Sequence, residues 1–305
     1  MPVRRGGVHL FKIHLLLLLG AVLVSGSFPV VADISNDLDP VVLTLLRFAL
    51  ASILFAPFIW YRYTLVVSFA ALTRYSLISL TLVLCFWSMF LALRYTTPLH
   101  VSTIFTIVPG LSGLYAMVLN KERLGRPRLV ALFLGIIGAL WIIFRGDVAL
   151  LAEFSWNKGD LIFLVGCISM GFYTPLVRLF HRGESMLQMS FWIMVTGTFW
   201  LLILAGPKLI SVSWPDVPFN VWTGIAYLAV FSTIITFFIT QYALLFLGPT
   251  RVAAYSYLYP GLVLVLELLF GGVWPGIEIL PGIVIVLVAM IVIQQMEYRT
   301  RCENV

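Results

Sequence analysis

The chain has 305 residues, of which 61% are hydrophobic and only 10% charged, with a formal net charge of +6 and a mean hydropathy of +1.05. Soluble domains carry roughly 25% charged residues, so this composition excludes a water-facing surface and leaves lipid as the solvent. The positive balance does not point to nucleic acid, because most Lys and Arg fall in a few short loops.

Crossing about 30 Å of hydrocarbon takes roughly 20 apolar residues as helix. The apolar runs recur at that length and predict about ten spans, roughly 13–32, 41–61, 73–93, 99–119, 128–145, 160–180, 187–205, 222–246, 251–271 and 278–296. Strands of a membrane barrel would alternate over about ten residues, whereas Leu129 to Phe144 and Ile283 to Ile293 are apolar on every side, as in helices. Arg4, Arg5 and Lys12 precede the first run, and Val30-Val31-Ala32 before Asp33 loosely resembles a signal-peptidase site. Cleavage there would strip one span from the first half only and unbalance the duplication described next. Pro40, Pro98, Pro127 and Gly248-Pro249 mark span boundaries, where a first-turn proline sacrifices no hydrogen bond. The longest polar break, Asp147 to Gly159, divides the chain into halves of 13–145 and 160–294.

Placing both termini in the cytoplasm puts Arg62, Arg74, Lys121, Arg123, Arg126, Arg128, Arg178, Arg182 and Arg251 on the inner side. Only Arg47, Arg94, Arg145, Lys158 and Lys208 fall toward the outer side, with Asp33, Asp37 and Asp39 in the first outer loop. The chain also repeats itself. ALRYTTPLHVSTIFTIVPGL (92–111) aligns without a gap to ALLFLGPTRVAAYSYLYPGL (243–262). With five spans per half, an odd number, equivalent helices run in opposite directions, an arrangement common among secondary transporters.

The stretch YTTPLHVSTIFTIVPGLSGLYAMVLNKERL with LGIIGALWII, Pro40 with Arg47, and GPTRVAAYSYLYPGL resemble the EamA-type carriers of the drug/metabolite transporter superfamily. The resemblance implies an all-α integral membrane protein: ten transmembrane helices in two inverted five-helix repeats around a central cavity. Two positions depart from the family pattern. Ser25-Gly26-Ser27 stands where Trp-Gly-Ser is frequent, and Gly271-Gly272-Val273 where a Gly-Glu pair often closes the ninth span; Lys121-Glu122-Arg123 keeps the acidic residue in the first half only.

A carrier needs a polar path buried between helices. Ser102, Thr106, Pro109 and Gly113 share one face of the fourth span; Thr233, Thr236 and Thr240 share a face of the eighth, beside Gln241; Ala21, Ser25, Phe28 and Ala32 line up on the first. Packing and cavity lining both fit such stripes. Phe86, Trp87, Tyr173, Tyr255, Tyr257 and Tyr259 suit a cavity for an amphipathic metabolite, and Pro109 and Pro260 sit at equivalent positions as kinks or hinges. Trp156, Trp214 and Trp274 read as interface anchors.

Glu267 lies in the otherwise apolar run LYPGLVLVLELLFGG, at a depth similar to that of Arg47. Mutual cancellation of two costly charges predicts an ion pair between them; snorkelling of Glu267 to the interface is the plainer alternative. A carboxylate buried among helices can also take up a proton on one side and release it on the other, which makes Glu267 a candidate coupling group and H+ a candidate partner.

Cys85, Cys167 and Cys302 show no paired spacing and His9, His14, His100 and His181 are scattered, which argues against disulfides and a metal site. No cofactor is expected, and no nucleophile–base pair or phosphate loop suggests an enzyme. The sequence thus predicts a multipass carrier that exports a small organic solute by alternating access, as a monomer or homodimer in a lipid bilayer, most consistent with a bacterial inner membrane. The rival readings are a passive channel, for which no ring of charge marks a pore, and a non-transporting scaffold, which would bind no solute.

Overall fold

A computed structural model describes residues 3–63, 67–121, 125–147, 157–247 and 249–303. Glu122, Arg123, Trp156 and Gly248, singled out above, lie outside the described residues, as does most of the break between the halves. Among the described residues the regular structure is all helical. Nine helices there are long and apolar enough to cross a membrane: Leu10–Ile34, Pro40–Arg62, Phe69–Ala92, Pro98–Leu119, Lys158–Phe180, Met186–Ile210, Phe219–Leu244, Arg251–Leu269 and Ile277–Gln295. A shorter helix, Arg126–Ile143, stands fifth in chain order and brings the spans to the expected ten. Large apolar side chains such as Phe69, Ile53 and Phe133 are exposed on the outside of the bundle, as a lipid-facing wall requires.

Span starts are set by local chemistry. The Asp39 side chain accepts from Val41 N at 2.9 Å ahead of Pro40, and Thr97 accepts from His100 N ahead of Pro98. Ser68 and Asn157 cap the third and sixth spans in the same way. Each cap satisfies a backbone N–H that has no partner in the first helical turn.

Neighbouring spans come in matched pairs. The second packs on the seventh, the fourth on the ninth and the fifth on the tenth. The third packs on the sixth and the eighth on the first; the fourth packs on the sixth and the ninth on the first. Replacing each span by the one five places along leaves this set unchanged, the pattern of two like halves related by a twofold exchange. Glycines allow the closest approaches. A Cβ on Gly138 would lie 2.9 Å from the Gly282 carbonyl oxygen, and one on Gly282 would lie 2.9 Å from that of Gly138. A Cβ on Gly166 would strike the Ser88 hydroxyl.

The helix interruptions are also paired. The first span breaks at Gly26 and its counterpart, the sixth, at Phe172. The fourth breaks between Phe105 and Val108, and its counterpart, the ninth, passes through a 3-10 turn, Ala254–Leu258. Pro109 and Pro260 each stand in the first turn after these breaks. Lacking an N–H, they cannot donate to the carbonyls of Phe105 and Ser256 four residues back. The eighth span carries a further distortion, a π-helical segment at Val230–Ile235, and its counterpart, Phe69–Ala92, is continuous.

Candidate functional site

Arg47 projects from the second span and is 2% exposed. Its Nε and Nη2 donate to Thr233 Oγ1 at 3.3 and 3.2 Å, and Nη2 reaches Ser232 Oγ at 3.5 Å. The guanidinium carbon lies 4.0 Å from the centroid of the Phe86 ring. Both hydroxyls belong to the π-helical segment of the eighth span, a kind of local widening frequent at functional sites. Nη1 is buried and without a hydrogen-bond partner, and among the described residues no carboxylate pairs with Arg47. Two hydroxyl acceptors and one aromatic face only partly offset the several kcal/mol that burying a cation costs.

The interrupted spans also bring rings together. Phe28, just past the break in the first span, contacts Phe105 at 6.4 Å and Tyr259 at 6.1 Å between centroids. Phe105 also meets Tyr259 at 5.8 Å and Phe163 of the sixth span at 6.3 Å. These rings and Phe86 share one apolar cluster. Ser25 is fully buried and its hydroxyl has no partner. The next residue, Gly26, tolerates no side chain because a Cβ would strike the Tyr227 hydroxyl, which donates to Leu23 O at 2.9 Å.

The remaining candidates lie elsewhere or serve locally. Thr106 and Thr236 return their hydroxyls to backbone carbonyls of Thr103 and Ser232 at 2.7 and 2.9 Å. Tyr255 sits 2.5 Å from His14 Nδ1, tying the first span to the ninth. Tyr173 packs with Tyr75 and Met189. Trp87 and Gln241 are partly buried and make no hydrogen bond or ring contact among the described residues; the ring beneath Arg47 is that of Phe86, one position earlier and so about 100° around the helix.

The expected Arg47–Glu267 ion pair is not formed. Arg47 faces the eighth span, whereas Glu267 lines a small cavity of about 130 Å³ with Thr97, His100, Arg145, Gly272 and Pro275. The second span packs on the third, seventh and eighth, and the ninth on the first, fourth and tenth. Similar depth therefore did not make the two residues neighbours. Glu267 shares this cavity with His100, whose Nδ1 lies 3.1 Å from Asp160 Oδ2. Asp160 is 1% exposed and also accepts from Thr96 Oγ1 at 2.6 Å. In the sequence Asp160 reads only as a boundary acid, and His100 as one of four scattered histidines.

Polar contacts tie the halves together at both ends of the bundle; at the termini end Arg74 Nη1 donates to Phe180 O at 2.6 Å and the Tyr75 hydroxyl donates to Glu184. At the end away from the chain termini the ties are Lys208 to Asp39 at 2.7 Å, Thr96 and His100 to Asp160, and Asn220 to Asp33 at 3.1 Å. At the termini end a cavity of about 290 Å³ opens beside Arg74, Arg182, Gln188 and Trp192. Glu184, in the loop there, accepts from the Tyr75 hydroxyl at 2.7 Å and from the Arg182 N–H at 2.6 Å, with Arg74 at 3.8 Å. Burial pushes the Glu184 carboxyl up, but its own backbone N–H, the Tyr75 hydroxyl, the Arg182 N–H and the Arg74 charge outweigh it, and its pKa falls below the ordinary value. A depressed folded-state pKa contributes stability that is present above the unfolded value, roughly pH 4, and is lost as pH falls through the folded one. Glu184→Gln should therefore lower the thermal midpoint at pH 7 by the equivalent of about 1 kcal/mol, and the gap to the parent protein should close as the pH drops below about 4.

Paired broken helices around a buried cation, within ten apolar spans, define the class: a multispan membrane transporter built from two like halves. The EamA-like transporter family matches residues 11–144 and again 157–294, and the chain belongs to that family. It is 30% identical over 259 residues to an uncharacterized transporter of Archaeoglobus fulgidus, covering 82% of this chain and 86% of that one. It is 23% identical to the uncharacterized transporter YyaM of Bacillus subtilis over 198 residues, spanning 65% of each chain. A crystallised protein shares the fold at a TM-score of 0.68, with 17% identity over 93% of this chain and 97% of its own.

Proposed function

We propose that the protein is a secondary carrier that moves a small organic solute outward by alternating access, with residues 13–145 and 160–294 as its two rocking halves. The observation that carries this reading is the pairing of helix interruptions across the halves around a buried, incompletely paired Arg47. Discontinuous helices at a repeat interface are the usual setting of a transporter's solute site. The 290 Å³ cavity beside Arg74 and Arg182 supports loading from the termini end, and the Lys208–Asp39, Thr96–Asp160 and Asn220–Asp33 contacts at the other end are the ties that part when solute leaves outward. The excess of Arg and Lys in loops at the termini end supports a cytoplasmic location for that end. Phe28, Tyr259, Ser25 and Arg47 contact the solute; breaks before Pro109 and Pro260 absorb the motion.

Glu267 is the candidate proton carrier, because it is the acidic residue that shares the outer cavity with His100. Counterflow in proteoliposomes tests both parts. Saturable exchange of solute across the membrane is expected, driven faster by an imposed pH gradient in the parent protein but not in Glu267→Gln. Equal rates with and without the gradient would remove proton coupling, and flux without saturation or exchange would replace the carrier by a channel.

A further inference from the structure

Three buried side-chain atoms among the described residues have no hydrogen-bond partner: Ser25 Oγ, Arg47 Nη1 and Trp192 Nε1. A guanidinium and an indole N–H can only donate, and a hydroxyl can donate. Their placement is not random. The first and second spans, which carry Ser25 and Arg47, both pack on the π-helical segment Val230–Ile235. Trp192 lines the cavity at the termini end and packs with Ala51 and Phe55, one and two turns along the second span from Arg47. Unpartnered donors thus stand both beside the open cavity and deep in the bundle, where Arg47 carries a positive charge with which no acidic side chain pairs among the described residues. The Phe86 ring lies under the guanidinium, and the Phe28–Phe105–Tyr259 rings, of which Phe28 follows Ser25 by three residues, belong to the same apolar cluster as Phe86.

We propose that the transported solute is an organic anion, held by its carboxylate on Arg47 and Ser25 and by an apolar, ring-sized body on Phe28, Phe105 and Tyr259. This rests on the carrier reading above. A carboxylate brings several acceptor lone pairs and one negative charge, which answers both the free donors and the uncompensated cation. A cationic solute would meet Arg47 as a like charge, and a neutral one would leave that charge uncompensated. The aromatic lining disfavours a small hydrated inorganic anion.

The test uses the full-length protein purified in detergent and a panel of acetate, benzoate and phenylacetate against benzamide, benzylamine and sulfate, read by thermal shift and titration calorimetry. Benzoate or phenylacetate should bind, with benzamide, benzylamine and sulfate at least about tenfold weaker. Arg47→Gln should remove the preference of carboxylate over amide, Arg47→Lys should keep it at reduced affinity, and Ser25→Ala should weaken carboxylate binding several-fold. If Arg47→Gln does not fold, the Arg47→Lys and Ser25→Ala results decide. Equal binding of benzoate and benzamide, or a carboxylate preference that survives Arg47→Gln, overturns the proposal. So does the absence of binding by every carboxylate, which would mean that water alone satisfies these donors. In that last case, exchange of a neutral or cationic solute in proteoliposomes leaves the carrier reading standing, whereas no exchange of any solute removes that reading itself.

Discussion

Arg47→Met is expected to abolish solute flux while leaving the thermal midpoint in detergent unchanged or higher. Among the described residues the buried cation has two hydroxyl acceptors and one aromatic ring, no carboxylate, and one nitrogen without a partner. Replacing a buried, incompletely compensated ion by an apolar side chain of similar volume is often neutral or stabilising, by about 1–4 kcal/mol. Methionine would rest on Phe86, and its thioether makes favourable contacts with aromatic rings. Of the two hydroxyls left behind, Thr233 Oγ1 already donates to Leu228 O at 2.8 Å, and Ser232 Oγ gives up only a long contact of 3.5 Å. A protein that keeps such a costly group gains something other than stability. Thermal unfolding and counterflow of the same preparation check this. A fall in the midpoint together with lost flux would instead make Arg47 a strut that holds the second span to the eighth.

The largest effect on stability is expected at the contact between the fifth and tenth spans. Gly138→Val or Gly282→Val should destabilise the folded protein by about 3 kcal/mol or more, beyond the usual range for an overpacked core. At both positions a Cβ would meet the partner glycine's carbonyl oxygen at 2.9 Å, and a backbone atom cannot swing aside as a side-chain tip can. The helices must separate, which removes packing that has no hydrophobic drive to replace it in lipid. Gly206→Ala is the contrasting substitution: in the seventh span nothing beyond its chain neighbours lies within 4 Å of a new Cβ, and the gain in helix propensity is offset by crowding of that Cβ against the Pro207 ring, so stability should change by less than about 1 kcal/mol. Detergent-denaturation curves of the three variants give the comparison.

Much of the fold was legible because hydropathy and prolines speak directly of helix ends. The runs of apolar residues gave ten spans, and the register of Pro109 with Pro260 located a pair of breaks that the structure places in counterpart helices. The candidate site was legible in part. Phe28 and Tyr259 meet in one cluster and Arg47 and Ser25 are buried donors with unpaired atoms, whereas Trp87 makes no ring contact among the described residues and Glu267 lies apart from Arg47. Counting residues along a helix fixes depth but not azimuth or neighbours, and the proposed Arg47–Glu267 pair depended on the latter. The threonine stripe of the eighth span was read at α-helical spacing, and the π-helical segment alters that spacing at Thr233, the residue that Arg47 uses. Phe86 reads in the sequence as one of several aromatics suited to a cavity, with nothing to tie it to Arg47, and Asp160 and His100 gave no signal, because an acid at a span start and a lone histidine are ordinary in isolation. Only tertiary packing sets them beside Arg47 or beside one another.

The account rests on an outer gate that must open for solute to leave. Cysteines placed at Asp39 and Lys208, whose side chains meet at 2.7 Å across the two halves, can be joined by a short bifunctional thiol reagent in a Cys302→Ser background. Counterflow in proteoliposomes should stop when the link forms and recover when a cleavable link is cut. Undiminished exchange through fully linked protein would contradict the alternating movement of the two halves.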